Sequence, residues 1–151
     1  MPSVKLSNPD LTQHPPRSAR VRLGGYTHLP RLLDKARASV AGKNGEYHFN
    51  CPMDRQFFDF TGIDHEALLA EVKLDRSDSE MIAWVRGKTK RLPSEIAAWS
   101  SWLDLHGPGA PEGHEWLAGL VKGDGAKERD DIRSFADLLD LDDYVTFGGK
   151  G

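Results

Sequence analysis

The chain carries one cysteine, Cys51, in 151 residues. An internal disulfide framework is therefore excluded, and a reducing compartment is the expectation. No apolar run comes near the roughly 18 residues that a membrane span requires. The N-terminus has no hydrophobic signal region, so the expected location is the cytoplasm, with no membrane partner. There is no G-x-S-x-G elbow, P-loop, H-E-x-x-H pair or EF-hand loop. Those absences remove the motif-defined hydrolases, P-loop nucleotide binders, zincins and EF-hand sensors.

Excess positive charge is also missing. The formal net charge is −3, which argues against dedicated nucleic-acid binding, because phosphate contacts supply most non-specific affinity. Charge is nonetheless uneven. Residues 1–28 hold four basic side chains against Asp10, a net of +3, and residues 124–151 hold eight acids against four bases, a net of −4. The plainest account is that the two ends attract each other or are solvated.

A hydrophobic fraction of 38% with 28% charged residues describes one globular domain. Residues 1–22 read as an irregular arm, since Pro2, Pro9, Pro15 and Pro16 interrupt any helical period. The RSARVR stretch suits an extended segment, and Gly24-Gly25 allows a turn. A helix is predicted from about Pro30 to Gly42, with Leu29, Leu32, Leu33, Ala36 and Val40 on one face. Arg31, Asp34 and Lys35 form its other face, for which the default is a solvated charge surface.

After a turn at Lys43-Asn44-Gly45, residues 46–50 are expected to be extended. Cys51-Pro52 opens a second helix whose Met53, Phe57, Phe58 and Phe60 belong to the core. Further helices are marked by Asp64 as a cap, Ser77 with Glu80 as a capping box, Pro93 as a start, residues 112–122, and Ser134 as a cap. Core packing is expected for at least three of the four tryptophans. The fold class is all-α: a single irregular orthogonal bundle of about seven short helices, residues 23–151, with the arm 1–22 lying over it.

Two groups of residues could carry chemistry. His48, Cys51 and Asp54 could ligate a soft or borderline metal. Alternatively His48 could serve as base to a nucleophilic Cys51, whose place at a helix start favours thiolate. A single cysteine without a second nearby histidine is a weak metal signal, and cysteine is more often a buried small hydrophobe. The sequence therefore specifies no metal site and no cofactor. The second group joins Tyr26, His28 and Arg31 with Asp34 and Lys35, offering anion contacts, a group titrating near neutrality and a carboxylate to orient it.

The strings LGGYTHLPRLLDKARA, GKNGEYHFNCPMDRQFFDFTGID, SDSEMIAWV and DLLDLDDYVTFGGKG resemble an uncharacterised bacterial family, the domain of unknown function numbered 5069. The resemblance implies a stand-alone soluble bacterial domain and brings no activity, cofactor or site residue with it.

The reading that follows is a helical domain binding a small molecule, with a pocket bounded by the first two helices. Its polar lining would be Tyr26, His28, Arg31, Tyr47, His48, Cys51 and Asp54, and an acidic metabolite is the expected ligand class. No reaction follows from these residues. The alternative is a non-catalytic protein–protein interaction module or homodimer, in which the basic arm and acidic C-terminal segment contact a partner.

Overall fold

In the computed structural model, residues 8–109, 111–126 and 129–151 are described. The first seven residues of the arm therefore lie outside the description. Among the described residues there are seven helices and one two-stranded hairpin: β1 (Arg22–Leu23), β2 (Tyr26–Thr27), α1 (Leu29–Val40), α2 (Pro52–Thr61), α3 (His65–Val72), α4 (Asp78–Lys88), α5 (Pro93–Leu105), α6 (Pro111–Gly123) and α7 (Phe135–Thr146). The architecture is all-α, as the helical periods imply.

Local chemistry sets most boundaries. Asp64 accepts a hydrogen bond from the Ala67 amide at 3.2 Å. Ser77 and Glu80 exchange bonds as a capping box at the start of α4, and Ser134 with Asp137 does the same for α7. Helix α1 ends at Val40 with Ala41 as its C-cap, and Gly42 takes the left-handed conformation just beyond it. The antiparallel hairpin pairs Arg22 with Thr27 and Leu23 with Tyr26. Its two-residue turn needs positive φ at both Gly24 and Gly25, the geometry that matches strand twist.

Helix α1 is the centre of the molecule, and here the structure corrects the sequence reading. Its Leu29, Leu32, Leu33 and Ala36 are inaccessible, as expected, but Arg31, Asp34, Lys35 and Arg37 are buried too. The charged face is not solvated. Arg17 bonds both Asp34, at 3.0 Å, and Asp78, at 2.8 Å. Arg37 also reaches Asp78 at 2.8 Å, while Arg31 and Lys35 meet partners described below. Buried charges persist only when paired in this way.

The main core gathers Tyr26, the α1 leucines, Phe57, Phe58, Leu68, Met81, Val85, Ile96, Trp99 and Leu103. A smaller core joins Val121, Ala126 and Leu141. Trp99 is buried and Trp84 packs against the core, but Trp102 and Trp116 are exposed, so two tryptophans rather than three are internal. Helix α7 also runs on through Tyr144–Thr146, because Leu138, Leu141 and Val145 keep one face against the smaller core. The arm is held down: Leu11 is buried, its amide bonds the Lys43 carbonyl, and Arg20 pairs with Asp137 and Asp140 of α7. The basic and acidic ends thus attract each other within one chain. Among the described residues no helix is long and apolar enough to cross a membrane.

Candidate functional site

Helix α1 presents Arg31 and Lys35 one turn apart, toward the loop that precedes α2. Loop residues Glu46, Tyr47 and His48, the first turns of α2, and helix α7 complete a cleft of about 510 Å³ over them. That size lies within the usual range for small-molecule pockets. One wall is apolar: Pro52 and Met53 from α2, Trp116 from α6, and Phe135, Leu138 and Leu139 from α7. Trp116 and Phe135 meet edge-on at 6.3 Å, and His106 packs on Phe135 at 5.3 Å while stacking on the exposed Trp102.

The polar end is built on Asp54. This carboxylate is wholly buried, and it accepts from the Asn50 amide at 2.9 Å and the Cys51 amide at 3.3 Å. His28 Nε2 donates to its Oδ1 at 2.6 Å, and Lys35 Nζ lies 2.8 Å from its Oδ2. Burial alone would raise the Asp54 pKa, but the His28 hydrogen bond and the Lys35 ammonium outweigh it and hold the carboxyl at about 2. His28 shifts downward, because burial disfavours its charged form more than Asp54 favours it. With Nε2 carrying the proton, Nδ1 has no partner among the described residues. His28 also holds a left-handed φ of 70° at the N-cap of α1, a conformation that costs a non-glycine residue energy and is secured here by the bond to Asp54.

Lys35 donates to the Cys51 sulfur at 3.2 Å and to the His48 carbonyl at 3.1 Å. Arg31 clamps Asp143 of α7 with both terminal nitrogens, at 2.7 and 3.2 Å, and the Tyr47 hydroxyl donates to the same carboxylate at 2.9 Å. Burial first, and then the Asp143 carboxylate, push Tyr47 upward, so it stays a neutral donor. Burial, reinforced by Asp124, raises Asp142 at the cleft edge.

Of the seven residues singled out from sequence, Arg31, Tyr47, His48 and Cys51 line this cleft. His28 and Asp54 lie beneath it, joined to it through Lys35. Tyr26 is elsewhere, in the core among Phe57, Phe60 and Trp99. The bond to the Cys51 sulfur comes from Lys35, and His48 contributes its backbone carbonyl there. Among the described residues no three His, Cys, Asp or Glu side chains converge as a metal site. The α7 residues, Trp116 and His106 were not singled out. Only the pairing of an acidic tail with a basic N-terminal region hinted that α7 would return to α1.

The molecule is thus a small helical domain with an apolar cleft headed by a buried network of charges. By sequence it belongs to the family described as a domain of unknown function (DUF5069), whose profile matches residues 13–145. No curated protein matches the chain.

Proposed function

We propose that the protein binds a small acidic metabolite in the cleft between α1, α2 and α7. The supporting observation is the convergence of polar groups at one end of an otherwise apolar cavity, the usual layout of a ligand site. An apolar body would lie along Met53, Phe135, Leu138 and Leu139. The acidic head would go to Arg31 rather than Lys35, and donor counting gives the reason. All three Lys35 protons are engaged, by Asp54, Cys51 and the His48 carbonyl. Arg31 has five N–H donors, of which three are used, on Asp143 and the Arg17 carbonyl. Cys51 and Tyr47 flank that position.

Native mass spectrometry of the purified protein, followed by thermal-shift titration with octanoate and phenylacetate, tests this reading. A co-purifying organic mass, or a carboxylate-induced rise in melting temperature that Leu139→Trp removes, is the expected result. A ligand-free mass at twice the chain weight, with no response to either acid, would replace it with a homodimeric interaction module.

A further inference from the structure

A second cleft, of about 380 Å³, opens between the β1–β2 turn, the end of α4 and the start of α5, and shares no lining residue with the first. Its charged lining is arginine alone: Arg22, Arg86 and Arg91. Arg22 is partly neutralised by Asp104 at 3.0 Å and Arg91 by Glu95 at 2.9 Å. Arg86 has no acidic partner among the described residues, and Lys88 and Lys90 adjoin it in sequence. Basic groups suit the C-terminal end of α4, which accounts for Arg86 and Lys88. It accounts for neither Arg22 nor Arg91.

The floor supplies an independent observation. Tyr26 lines this cleft and is wholly buried, yet its hydroxyl has no hydrogen-bond partner among the described residues. Buried hydroxyls are nearly always paired, because an unmade bond costs the full desolvation of the group. The Tyr26 ring is packed by Phe57, Phe60 and Trp99. Tyr26 shares the cleft lining with Arg86 and Arg91, whose charges oppose the upward push that burial gives its hydroxyl. It is a donor waiting on an acceptor.

The backbone is shaped to let an anion approach. Gly24 and Gly25 line the cleft, and among the described residues neither amide donates to a backbone carbonyl. A Cβ on Gly24 would fall 2.3 Å from Ile82 Cγ1, so glycine is what allows the turn to pack this close to α4, beside the Arg86 guanidinium. Pro93, the first residue of the 13-residue helix α5, lies at the same cleft and brings the positive end of a helix dipole to it.

We propose that this cleft binds the phosphate of a small soluble phosphomonoester, gripped by Arg86 and Arg91 with the Tyr26 hydroxyl donating from below. A phosphomonoester carries close to two negative charges at neutral pH and three strong acceptor oxygens, which matches a multi-arginine lining better than a single carboxylate does. A concavity of this size takes a small ligand, whereas nucleic acid needs an extended basic surface, and the chain as a whole is acidic.

The test titrates inorganic phosphate and glycerol phosphate into the full chain at constant ionic strength, with chloride as reference, reading melting temperature and ³¹P line width. Both phosphates are expected to bind. Arg86→Gln, at an exposed side chain with no acidic partner, should weaken binding about tenfold, and the equally charged control Lys73→Gln should leave it unchanged. Tyr26→Phe removes only the orphaned hydroxyl, so it should raise the ligand-free melting temperature while weakening phosphate binding. Equal phosphate responses in wild type, Arg86→Gln and Tyr26→Phe would overturn the proposal. So would binding confined to phosphatidic acid vesicles or to a mixed-sequence RNA oligonucleotide, with no response to the soluble phosphates.

Discussion

The Lys35 ammonium sits between the Asp54 carboxylate, at 2.8 Å, and the Cys51 sulfur, at 3.2 Å. Its third proton goes to the His48 carbonyl at 3.1 Å. One side chain of α1 thereby fixes the loop that enters α2 and neutralises the carboxylate capping that helix. The cleft owes its polar end to this junction.

Removing Lys35 strands a buried carboxylate. We expect Lys35→Met to cost about 3 kcal/mol, because breaking one side of a buried pair leaves the other charge uncompensated. Adding Asp54→Asn should cost much less than the sum of the two single changes. Chemical denaturation of the double-mutant cycle measures this, and strictly additive losses would show that the two groups are not coupled.

Acid should weaken the fold in two stages. Burial pushes His28 below its ordinary range, so the folded value is the lower one and the unfolded chain binds the extra proton. Its contribution is complete above the unfolded value near 6.5 and declines as pH falls below it. Asp54 has a folded value of about 2. Its contribution is present above the unfolded value near 3.9 and is lost between there and about 2. His28→Asn, a residue that tolerates the left-handed backbone, should flatten the upper stage and also shrink the lower one, because the His28 hydrogen bond helps hold Asp54 down. An unchanged slope in unfolding titrations of the variant would assign that stage elsewhere.

Arg31 and Asp143 join α1 to α7 across 112 positions of sequence. Asp143→Ala leaves a buried guanidinium unpaired and should cost about 3–5 kcal/mol. Asp142→Ala, one residue away and exposed, should change stability by less than about 0.5 kcal/mol. Equal losses for the two would mean that the pair does not hold α7 in place.

Cys51 is half-buried and lines the main cleft, so iodoacetamide should label it in the native protein. Leu139→Trp, which fills the cleft, should slow labelling about tenfold. Mass spectrometry of timed quenches reads the rate. Labelling that appears only on denaturation would place the sulfur out of reach of any ligand.

Much of the secondary structure was written locally. Ser77 with Glu80, Ser134 with Asp137, Pro52, Pro93 and Gly42 each act within a turn of the chain they delimit, so helix starts and stops can be read from neighbours alone. The α1 core stripe and the phenylalanines of α2 were legible for the same reason, since a helical period shows in sequence which residues share a face. The candidate cleft was half legible. Arg31, Tyr47, His48 and Cys51 stand at a helix face and a loop close together in the chain, while Phe135, Leu138, Leu139 and Trp116 reach it only from distant helices.

The sequence by itself thus determined an all-α chain, its helix boundaries and the region that holds the cleft. Tertiary structure alone decided which charges are buried. A lone amphipathic helix with Arg31, Asp34, Lys35 and Arg37 opposite its leucines reads as half solvated, because its periodicity carries no record of Arg17, Asp54, Asp78 and Asp143. Those partners arrive from other elements, and long-range pairing turned a charged face into the centre of the fold. The same holds for Tyr26, which the packing of its ring on Phe57, Phe60 and Trp99 drew away from the α1–α2 cleft and into the lining of the arginine cleft.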